Sequence, residues 1–235
     1  MHSLLPHYPR TLHLGSSGGG TSKHSAPMSA VAGAHLVVEE KVDGSHAGLC
    51  FDEDANLVLF HRNTILASPP HEAEFVPLYK LAQLYMDSLW ETLQTRYVLY
   101  GEWALLTHSV IYDALPAYFL EDDIYDRERE AFLSTPARTS VLTHVPSEFS
   151  SSVAVLATGV FDSEDKLKAL VGPSHYQSNK QDHTTPSEGL YIKHEQDGIV
   201  KGRYKWVRES FVEQIKASEH WRAQQPRRNT LKVAI

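Results

Sequence analysis

The segment Glu39–Gly44 reads Glu-Glu-Lys-Val-Asp-Gly and contains the residue best suited to covalent chemistry. Lys41 ends an apolar run over residues 36–38 and is followed at once by Asp43 and a turn glycine, Gly44. A lysine held at a strand end loses part of its solvation, so its amine gives up a proton more easily and becomes nucleophilic. A surface lysine before an Asp-Gly turn has the same pattern, so this segment alone does not decide between the two.

Further motifs follow Lys41 in a consistent order, at residues 57–62, 97–104, 118–120, 187–193 and 200–208. This ordered set resembles the motifs of the covalent lysyl-nucleotidyltransferases, the superfamily of ATP-dependent polynucleotide ligases and capping enzymes. Within that superfamily it most resembles the RNA ligase 2-like family. The resemblance extends from about residue 8 to residue 208, and its specificity comes from the order of the motifs, because each one is short.

The resemblance implies a role for each residue around the lysine. Lys41 is expected to attack the α-phosphorus of ATP, and Glu40 to recognise the edge of adenine. Val42 and Gly44 are expected to lie beside the bound nucleotide. Relatives often have asparagine two residues after the glycine, at a position linked to strand joining, where this chain has His46. That departure concerns the joining of strands and not the attack of Lys41 on ATP.

The middle motifs are expected to hold the rest of the nucleotide. By resemblance, Arg62 reaches the ribose and phosphate side and Glu102 binds the ribose. Phe119 matches an aromatic residue that stacks on the purine, although an aromatic residue on a strand is more often part of a core. Where relatives often place another aromatic residue before an aspartate, this chain has Asp122 and Asp123, so we expect the local packing to differ.

A hairpin pattern supports the assignment of Arg62. Two apolar segments, residues 47–51 and 57–62, flank a polar turn at residues 52–56. If the hairpin closes symmetrically, Arg62 returns opposite His46 and close to the Lys41 turn, where its charge would favour a neutral lysine and bind phosphate. The alternative is a solvated arginine at a strand end.

The last two motifs are predicted to form one hairpin, because Glu188–His194 and Ile199–Val207 flank an Asp-Gly turn. Two-residue and four-residue loops both pair even positions of the first strand with odd positions of the second. This parity predicts that Glu188, Arg203 and Lys205 share one face, and that Lys193 lies on the other face and has no role. The alternative is a solvated face with ion pairs between the strands.

The resemblance assigns this predicted face to the triphosphate. Lys205 is expected to contact the α-phosphate, because Arg203 keeps the charge of the family's lysine but cannot protonate a leaving group. Mg²⁺ is implied because pyrophosphate is a poor leaving group without a divalent cation, and Glu188 is the predicted ligand, through water.

Composition limits the partners. The net charge of −7 argues against a chain coated for non-specific nucleic-acid binding, but basic residues gather toward the C-terminus from Lys201 onward, so we expect a local and weak RNA surface. The single cysteine, Cys50, and the lack of a long apolar segment favour a cytoplasmic protein without a membrane anchor. The histidines show no metal-ligand spacing.

The predicted fold class is α+β: a nucleotidyltransferase (ATP-grasp-like) domain of antiparallel sheets with flanking helices and no appended OB-fold. We expect an irregular arm over residues 1–33, the nucleotidyltransferase domain over 34–208, and a helix and basic tail over 209–235 packed on the same domain. The glycine-serine stretch 15–23 lacks a P-loop lysine and is read as a flexible loop without a preceding strand. Helices are predicted over residues 72–93, from 162 or 163 to 171, and over 209–222, and a mobile loop over 173–187.

Three hypotheses for function remain open from the sequence. The first is an ATP-dependent RNA ligase that joins 5′-phosphate and 3′-hydroxyl ends, in RNA, a nicked duplex or an RNA–DNA hybrid, with an end-processing kinase or phosphatase as a further partner. The second is a related nucleotidyltransferase, such as a small DNA ligase or a GTP-using capping enzyme. The third is a nucleotide-binding module that has lost sealing activity.

Overall fold

The computed structural model of this 235-residue chain describes residues 8–178, 185–217 and 227–232. It is an α+β protein, as predicted, in which most neighbouring strands are antiparallel. In chain order the strands are β1 (Leu12–Leu14), β2 (Ser25–Ala26), β3 (Leu36–Lys41), β4 (Ser45–Phe51), β5 (Leu57–His61), β6 (Thr64–Ile65), β7 (Tyr97–Trp103), β8 (Phe119–Asp126), β9 (Ala131–Phe132), β10 (Ser150–Ser152), β11 (Val155–Gly159), β12 (Gly189–Gln196) and β13 (Ile199–Val207). The α-helices are α1 (Val76–Leu84), α2 (Met86–Leu93), α3 (Thr135–Val141), α4 (Glu164–Lys168) and α5 (Glu209–Ala217).

The chain divides into two compact units. Among the described residues, the first unit contains residues 8–9, Gly44–Leu106 and Pro116–Ser152. The second unit contains Arg10–Asp43, Thr107–Leu115 and the described residues from Val153 onward. Among the residues described, no helix has the length and apolar character needed to cross a membrane.

The first unit is a seven-stranded sheet with helices on one face. Its strands run in the order β10-β8-β7-β4-β5-β6, and β9 pairs with β8. Apolar side chains of β4, β5, β7 and β8 pack with α1 and α2 because alternate strand residues point to the same face. Two carboxylates of β8 are also buried: Glu121 pairs with Arg138 at 3.1 Å, and Asp123 accepts a hydrogen bond from the Tyr8 hydroxyl at 2.8 Å.

The second unit is a six-stranded sheet in the order β11-β3-β12-β13-β1-β2. Its core lies on one face, where Leu36 and Val38 of β3 pack with Leu190 and Ile192 of β12 and with Leu167 of α4. The lysine-bearing strand β3 is therefore interior to the sheet, hydrogen-bonded to β11 on one side and β12 on the other. At the end of β3, Lys41 pairs with Gly189 of β12, whereas the pairing with β11 ends at Glu39.

The predicted irregular arm is wrong for part of its length. Strand β1 pairs in parallel with β13, and β2 pairs with β1. Leu14 of β1 is fully buried in the core of the second unit, and this burial offsets the cost of ordering the strand. The glycine-serine loop that follows does have a strand before it, and the Gly18 N–H donates to the Val207 carbonyl at 2.7 Å.

The predicted helices are present but shorter. The stretch 72–93 contains two helices, α1 and α2, separated at Tyr85, whose φ of −107° and ψ of 22° leave the helical region. Its apolar stripe packs in the core as predicted, except that Leu84 is 72% exposed. The helix predicted from 162 or 163 covers only α4, and residues 218–222 of the third predicted helix and 179–184 of the predicted loop lie outside the described residues.

Candidate active site

Lys41 and Glu188 form a close ion pair in the second unit. The Lys41 Nζ lies 2.9 Å from each carboxylate oxygen of Glu188. Two strands produce this pair: Lys41 ends β3, and its register partner Gly189 begins β12 directly after Glu188. The Lys41 side chain is 23% exposed and that of Glu188 is 11% exposed, so the amine is held at the surface of the unit while its partner is nearly buried.

Burial and the neighbouring charges shift the pKa values of Glu188 and Lys205. Burial raises the pKa of Glu188, and the neighbouring Asp43 raises it further. Burial also lowers the pKa of Lys205, and the ammonium of Lys41 adds to that shift. The carboxylate of Glu188 opposes this shift at Lys205. A neutral amine is the nucleophilic form.

The register predicted for a two-residue loop is present next to the turn, where Gln196 pairs with Ile199, but it is wrong for the rest of the hairpin. A β-bulge between His194 and Glu195 shifts the pairing, so that Lys205 lies opposite Tyr191 and Arg203 lies opposite Lys193. Arg203 and Lys205 share a face, as predicted, but Lys193 lies on that face with them instead of on the other one. Glu188 precedes the first paired residue of β12, so strand alternation does not fix its direction.

Lys193 therefore lies on this face and is buried, although the sequence analysis gave it no role. Its Nζ lies 2.9 Å from Glu39 Oε2 and 5.0 Å from the centre of the Tyr191 ring, and Lys193 and Glu39 are both fully buried. Glu39 lies two residues before Lys41 on β3, hence on the same face. The signal that could have identified the residue was its position in the motif at residues 187–193.

Glu40 lies on the opposite face of β3 from Lys41, because neighbouring strand residues alternate. The Ser174 hydroxyl donates to its Oε1 at 2.5 Å, and the His175 backbone N–H donates to its Oε2 at 2.8 Å. Burial raises the pKa of this carboxyl, against the opposing effect of these hydrogen bonds. The structure therefore places Glu40 with residues 174–175, and its predicted contact with adenine stays a prediction.

Asp43 fixes the turn that follows the lysine. Its Oδ2 accepts backbone hydrogen bonds from Ser109 at 2.6 Å and Val110 at 2.9 Å. Its own backbone N–H donates to the hydroxyl of Tyr112 at 2.7 Å. Val42, which lies between Lys41 and Asp43 in the sequence, is buried. The carboxylate of this aspartate thus binds backbone N–H groups of another segment. Tyr112 was not predicted from the sequence, because no motif marks it.

His13 is a second residue that sequence reasoning missed. It lies on β1 beside Lys205 of β13, and its Nδ1 lies 2.8 Å from the Ser17 hydroxyl. Burial lowers the pKa of His13 to about 4, and the charges of Lys205, Arg10, Lys41 and His24 act in the same direction. The imidazole is neutral at neutral pH, and it adds a polar group beside Lys205 without another positive charge.

The first unit contains the other predicted residues. The β4–β5 hairpin closes as predicted, since the Arg62 N–H donates to the His46 carbonyl at 3.1 Å. Arg62 itself is exposed and has a φ of 55°. Glu102 of β7 lies opposite His46 of β4. A Cβ on Gly44 would approach the Trp103 carbonyl to 2.9 Å, so the glycine allows this close approach of two backbones.

Phe119 does not have the predicted position. Its side chain is fully buried in the core of the first unit, with its ring centre 5.7 Å from that of Phe149. A ring with no exposed surface cannot stack on a ligand, so the predicted role is wrong. The next residue, Leu120, lies directly opposite Glu102 and hence on its face of the sheet. Leu120 is also fully buried, so strand alternation distinguishes the two faces without identifying a residue that stacks on the purine.

The residues present suit a metal ion bound mainly by its substrate. Among the described residues, no group of three or more histidine, cysteine, aspartate or glutamate side chains could hold a metal by itself. Mg²⁺ commonly binds one or two carboxylates and completes its octahedral shell with water and phosphate oxygens. Glu188 could supply such a single carboxylate, so the predicted ligand is compatible with this structure.

The fold and the lysine-centred site define the class of this protein: it has the nucleotidyltransferase fold of RNA ligases. Three structures of Naegleria gruberi RNA ligase show the similarity, one a variant with ATP and Mn (20% identity, TM-score 0.58), one with PPi (21%, 0.57) and one a variant with AMP and Mn (20%, 0.59). They match 80–81% of this chain and 54% of theirs, so the chain spans about half the length of these ligases.

The family model described as RNA ligase matches residues 34–207, which is most of the chain. The chain therefore belongs to the RNA ligase family, as the ordered motifs predicted, and the RNA ligase 2-like group within it stays a prediction. No match was found among curated proteins.

Proposed function

We propose that this protein is an ATP-dependent RNA ligase of the RNA ligase 2-like group that joins 5′-phosphate and 3′-hydroxyl ends through a covalent lysyl-AMP intermediate. The observation that carries the proposal is the position of Lys41, with its amine 2.9 Å from the Glu188 carboxylate and near the ammonium of Lys205. The structures with ATP, AMP and PPi come from relatives below 25% identity, so they support the fold and are compatible with the proposed substrate.

In the first step the Lys41 amine, having lost a proton, attacks the α-phosphorus of ATP. An N–P bond forms, the bond to the bridging oxygen breaks, and pyrophosphate leaves. Glu188 orients the amine before the attack, and Lys205 supplies positive charge for the phosphate oxygens as their negative charge develops. A bound Mg²⁺ would add further charge stabilisation, with Glu188 as its protein ligand.

In the two later steps AMP is the group carried and then released. A 5′-phosphate oxygen of RNA attacks the phosphorus of lysyl-AMP, which forms a pyrophosphate bond and returns the amine. A 3′-hydroxyl then attacks the 5′-phosphorus, the phosphodiester forms and AMP leaves. The roles of Glu40, Val42, Gly44, Arg62, Glu102 and Arg203 on the nucleotide rest on the resemblance, as do RNA as the substrate and an end-processing kinase or phosphatase as a partner. The cytoplasmic location stays a prediction.

The test is intact-protein mass spectrometry after incubation with ATP and MgCl₂. We expect the mass to rise by one AMP in the wild type and not in Lys41→Ala. Lys166→Ala is the matched control, because Lys166 is exposed and forms an ion pair with Asp162 of its own segment. GTP and NAD, tested in parallel, would reveal another donor.

A second assay separates adenylylation from sealing. Nicked and single-stranded RNA with 5′-phosphate and 3′-hydroxyl ends should be joined by the wild type. An AMP adduct without any joined product would favour the module that has lost sealing, and no adduct with ATP would contradict the proposal.

A further inference from the structure

We propose that Asn229 is a positioning residue for the nucleophile Lys41 and acts through Tyr112 and Asp43. The inference rests on the proposed function of Lys41 and extends it to a part of the chain beyond the matched family region, which ends at residue 207. Three segments of the second unit carry it: the tail segment (residues 227–232), the loop segment (Thr107–Leu115) and the motif turn at residues 41–43.

The tail segment binds the loop segment through its backbone. Four backbone hydrogen bonds join them: Thr107 N–H to Arg227 O at 2.8 Å, Thr230 N–H to Tyr112 O at 3.0 Å, Leu115 N–H to Thr230 O at 3.1 Å, and Lys232 N–H to Leu115 O at 2.8 Å. They lie at both ends and in the middle of the loop segment, so the tail supports it along its whole length.

Asn229 lies between the segments and is only 1% exposed. Its Oδ1 accepts two hydrogen bonds from the loop segment, from the Tyr112 backbone N–H at 3.0 Å and from the Thr107 hydroxyl at 2.8 Å. A buried donor that loses its acceptor pays its full desolvation cost, so removing this one oxygen would leave the Tyr112 N–H in an unfavourable environment. The side chain of Asn229 thereby fixes the backbone position of Tyr112.

Tyr112 passes this position to the lysine motif. Its side chain is fully buried, and burial raises its pKa well above the ordinary value, so the hydroxyl stays protonated. That hydroxyl accepts the Asp43 N–H at 2.7 Å, while Ser109 and Val110 hold the Asp43 carboxylate. The peptide two residues after Lys41 is therefore held at both its backbone and its side chain by a segment that the tail holds in turn.

The consequence concerns the rate of the chemical step and not the binding of ATP. A rotation of the motif turn would move the amine out of line with the leaving group, and small errors in position are costly in displacement reactions. None of Asn229, Tyr112 and the tail backbone has an assigned contact with the nucleotide. The expected effect is therefore slower formation of lysyl-AMP at unchanged KM for ATP.

The experiment measures two quantities on the full chain for wild type, Asn229→Ala, Tyr112→Phe and the double variant. The first is the single-turnover rate of AMP transfer to Lys41, and the second is hydrogen exchange at the Asp43 amide without nucleotide. We expect each single variant to slow the transfer by about tenfold or more and to speed the exchange by a similar factor. A change of this size corresponds to the loss of one buried hydrogen bond. The double variant should be little slower than either single variant, since both act through Asp43.

Two control variants separate positioning from general loss of structure. Asn229→Asp keeps the accepting oxygen but places a carboxyl group in a buried site, so it should recover part of the rate lost in Asn229→Ala. Thr230→Val removes only an exposed side-chain hydrogen bond of the tail, to the Asp113 carbonyl at 3.2 Å, and should behave as wild type. If Asn229→Ala fails to fold, Tyr112→Phe, which keeps the ring, decides the question alone.

The outcomes are distinct. An unchanged rate or unchanged Asp43 exchange in Tyr112→Phe would overturn the positioning role, as would full additivity in the double variant. If the wild type forms no adduct with ATP, the proposed function fails, and hydrogen exchange at Asp43 still decides whether Asn229 and Tyr112 fix the motif turn.

Discussion

At the scale of single residues, the second unit contains two lysine–carboxylate pairs on one face of its sheet. Lys41, which is partly exposed, pairs with Glu188, and Lys193 pairs with Glu39, both of which are fully buried. Burying both partners of an ion pair costs desolvation that the attraction barely repays, so such pairs are poor devices for stability. They are better explained as fixing the positions of two amines on the face that we assign to the triphosphate.

His13 gives a pH-dependent contribution to stability whose sign follows from its lowered pKa. Its pKa is about 4 in the folded chain and 6.5 ordinarily, so between these values the unfolded chain binds more protons. The stability is complete above about pH 6.5 and is lost as the pH falls toward about 4. Between about pH 7 and pH 5 we expect His13→Gln to lose less stability than the wild type, by up to about 2 kcal/mol.

Urea unfolding of both proteins at the two pH values measures this difference. The comparison with the variant is needed because burial raises the pKa of Glu40 and Glu188, which changes stability in the opposite direction over acidic pH. Equal losses in the variant and the wild type would show that His13 does not differ from an ordinary histidine.

At the scale of elements, one β-bulge decides which side chains of β12 and β13 meet. The bulge lies next to the hairpin turn, between His194 and Glu195, and shifts every pair beyond it by one residue. It places Lys193 on the face of Arg203 and Lys205. Without the bulge, even positions of β12 would pair with odd positions of β13, and Leu190 or Glu188 would lie opposite Lys205. The composition of the proposed phosphate-binding face therefore depends on the bulge.

Gly189 tests the importance of the close approach between these strands. A Cβ at this position would lie far inside the van der Waals radius of the Trp206 carbonyl oxygen, and backbone cannot move aside as a side chain can. We expect Gly189→Ala to destabilise the protein by about 3 kcal/mol or more and to slow lysyl-AMP formation, because Glu188 is its neighbour. Thermal unfolding and the adduct assay measure the two effects.

Gly172→Ala is the matched control for this substitution. A Cβ on Gly172 meets no atom within 4 Å, so the stability and the adduct formation of Gly172→Ala should stay close to those of the wild type. If Gly189→Ala were as stable as Gly172→Ala, the close approach of β12 and β13 would not be needed.

At the scale of the whole molecule, each unit has its own hydrophobic core, and the charge is uneven. The chain carries a net charge of −7, yet β13 and the residue after it contain Lys201, Arg203, Lys205 and Arg208. Association with RNA is therefore expected to depend on a small number of phosphate contacts, and it should be weak and sensitive to salt.

Salt should separate the two partial reactions. Lys201 and Arg208 have no assigned role on the nucleotide, and contact of these two with phosphates of a single strand would weaken RNA binding roughly sevenfold between about 50 and 200 mM KCl. We expect sealing of RNA ends at subsaturating RNA to fall by a similar factor, while AMP transfer to Lys41 at saturating ATP changes little. Joined product and adduct are measured in the same salt series, and a parallel decline of both would contradict this distribution of charge.

Much of this molecule could be predicted from local sequence. Apolar runs, turn residues and the order of short motifs indicated the lysine, the class of fold, the β4–β5 hairpin and the RNA ligase family, because strand alternation and turn preference are properties of neighbouring residues. Glu188 and Lys205 were found in the same way, from motifs at a fixed order along the chain.

Only the tertiary structure decided which side chains meet. The bulge that brings Lys193 onto the face of Lys205, the core position of Phe119, the pairing of β1 with β13 and the support of Asp43 by Tyr112 and Asn229 all join residues distant in sequence. Such contacts depend on register and on backbone hydrogen bonds between segments. A shift of a single residue reverses the face of a side chain while leaving the local pattern unchanged.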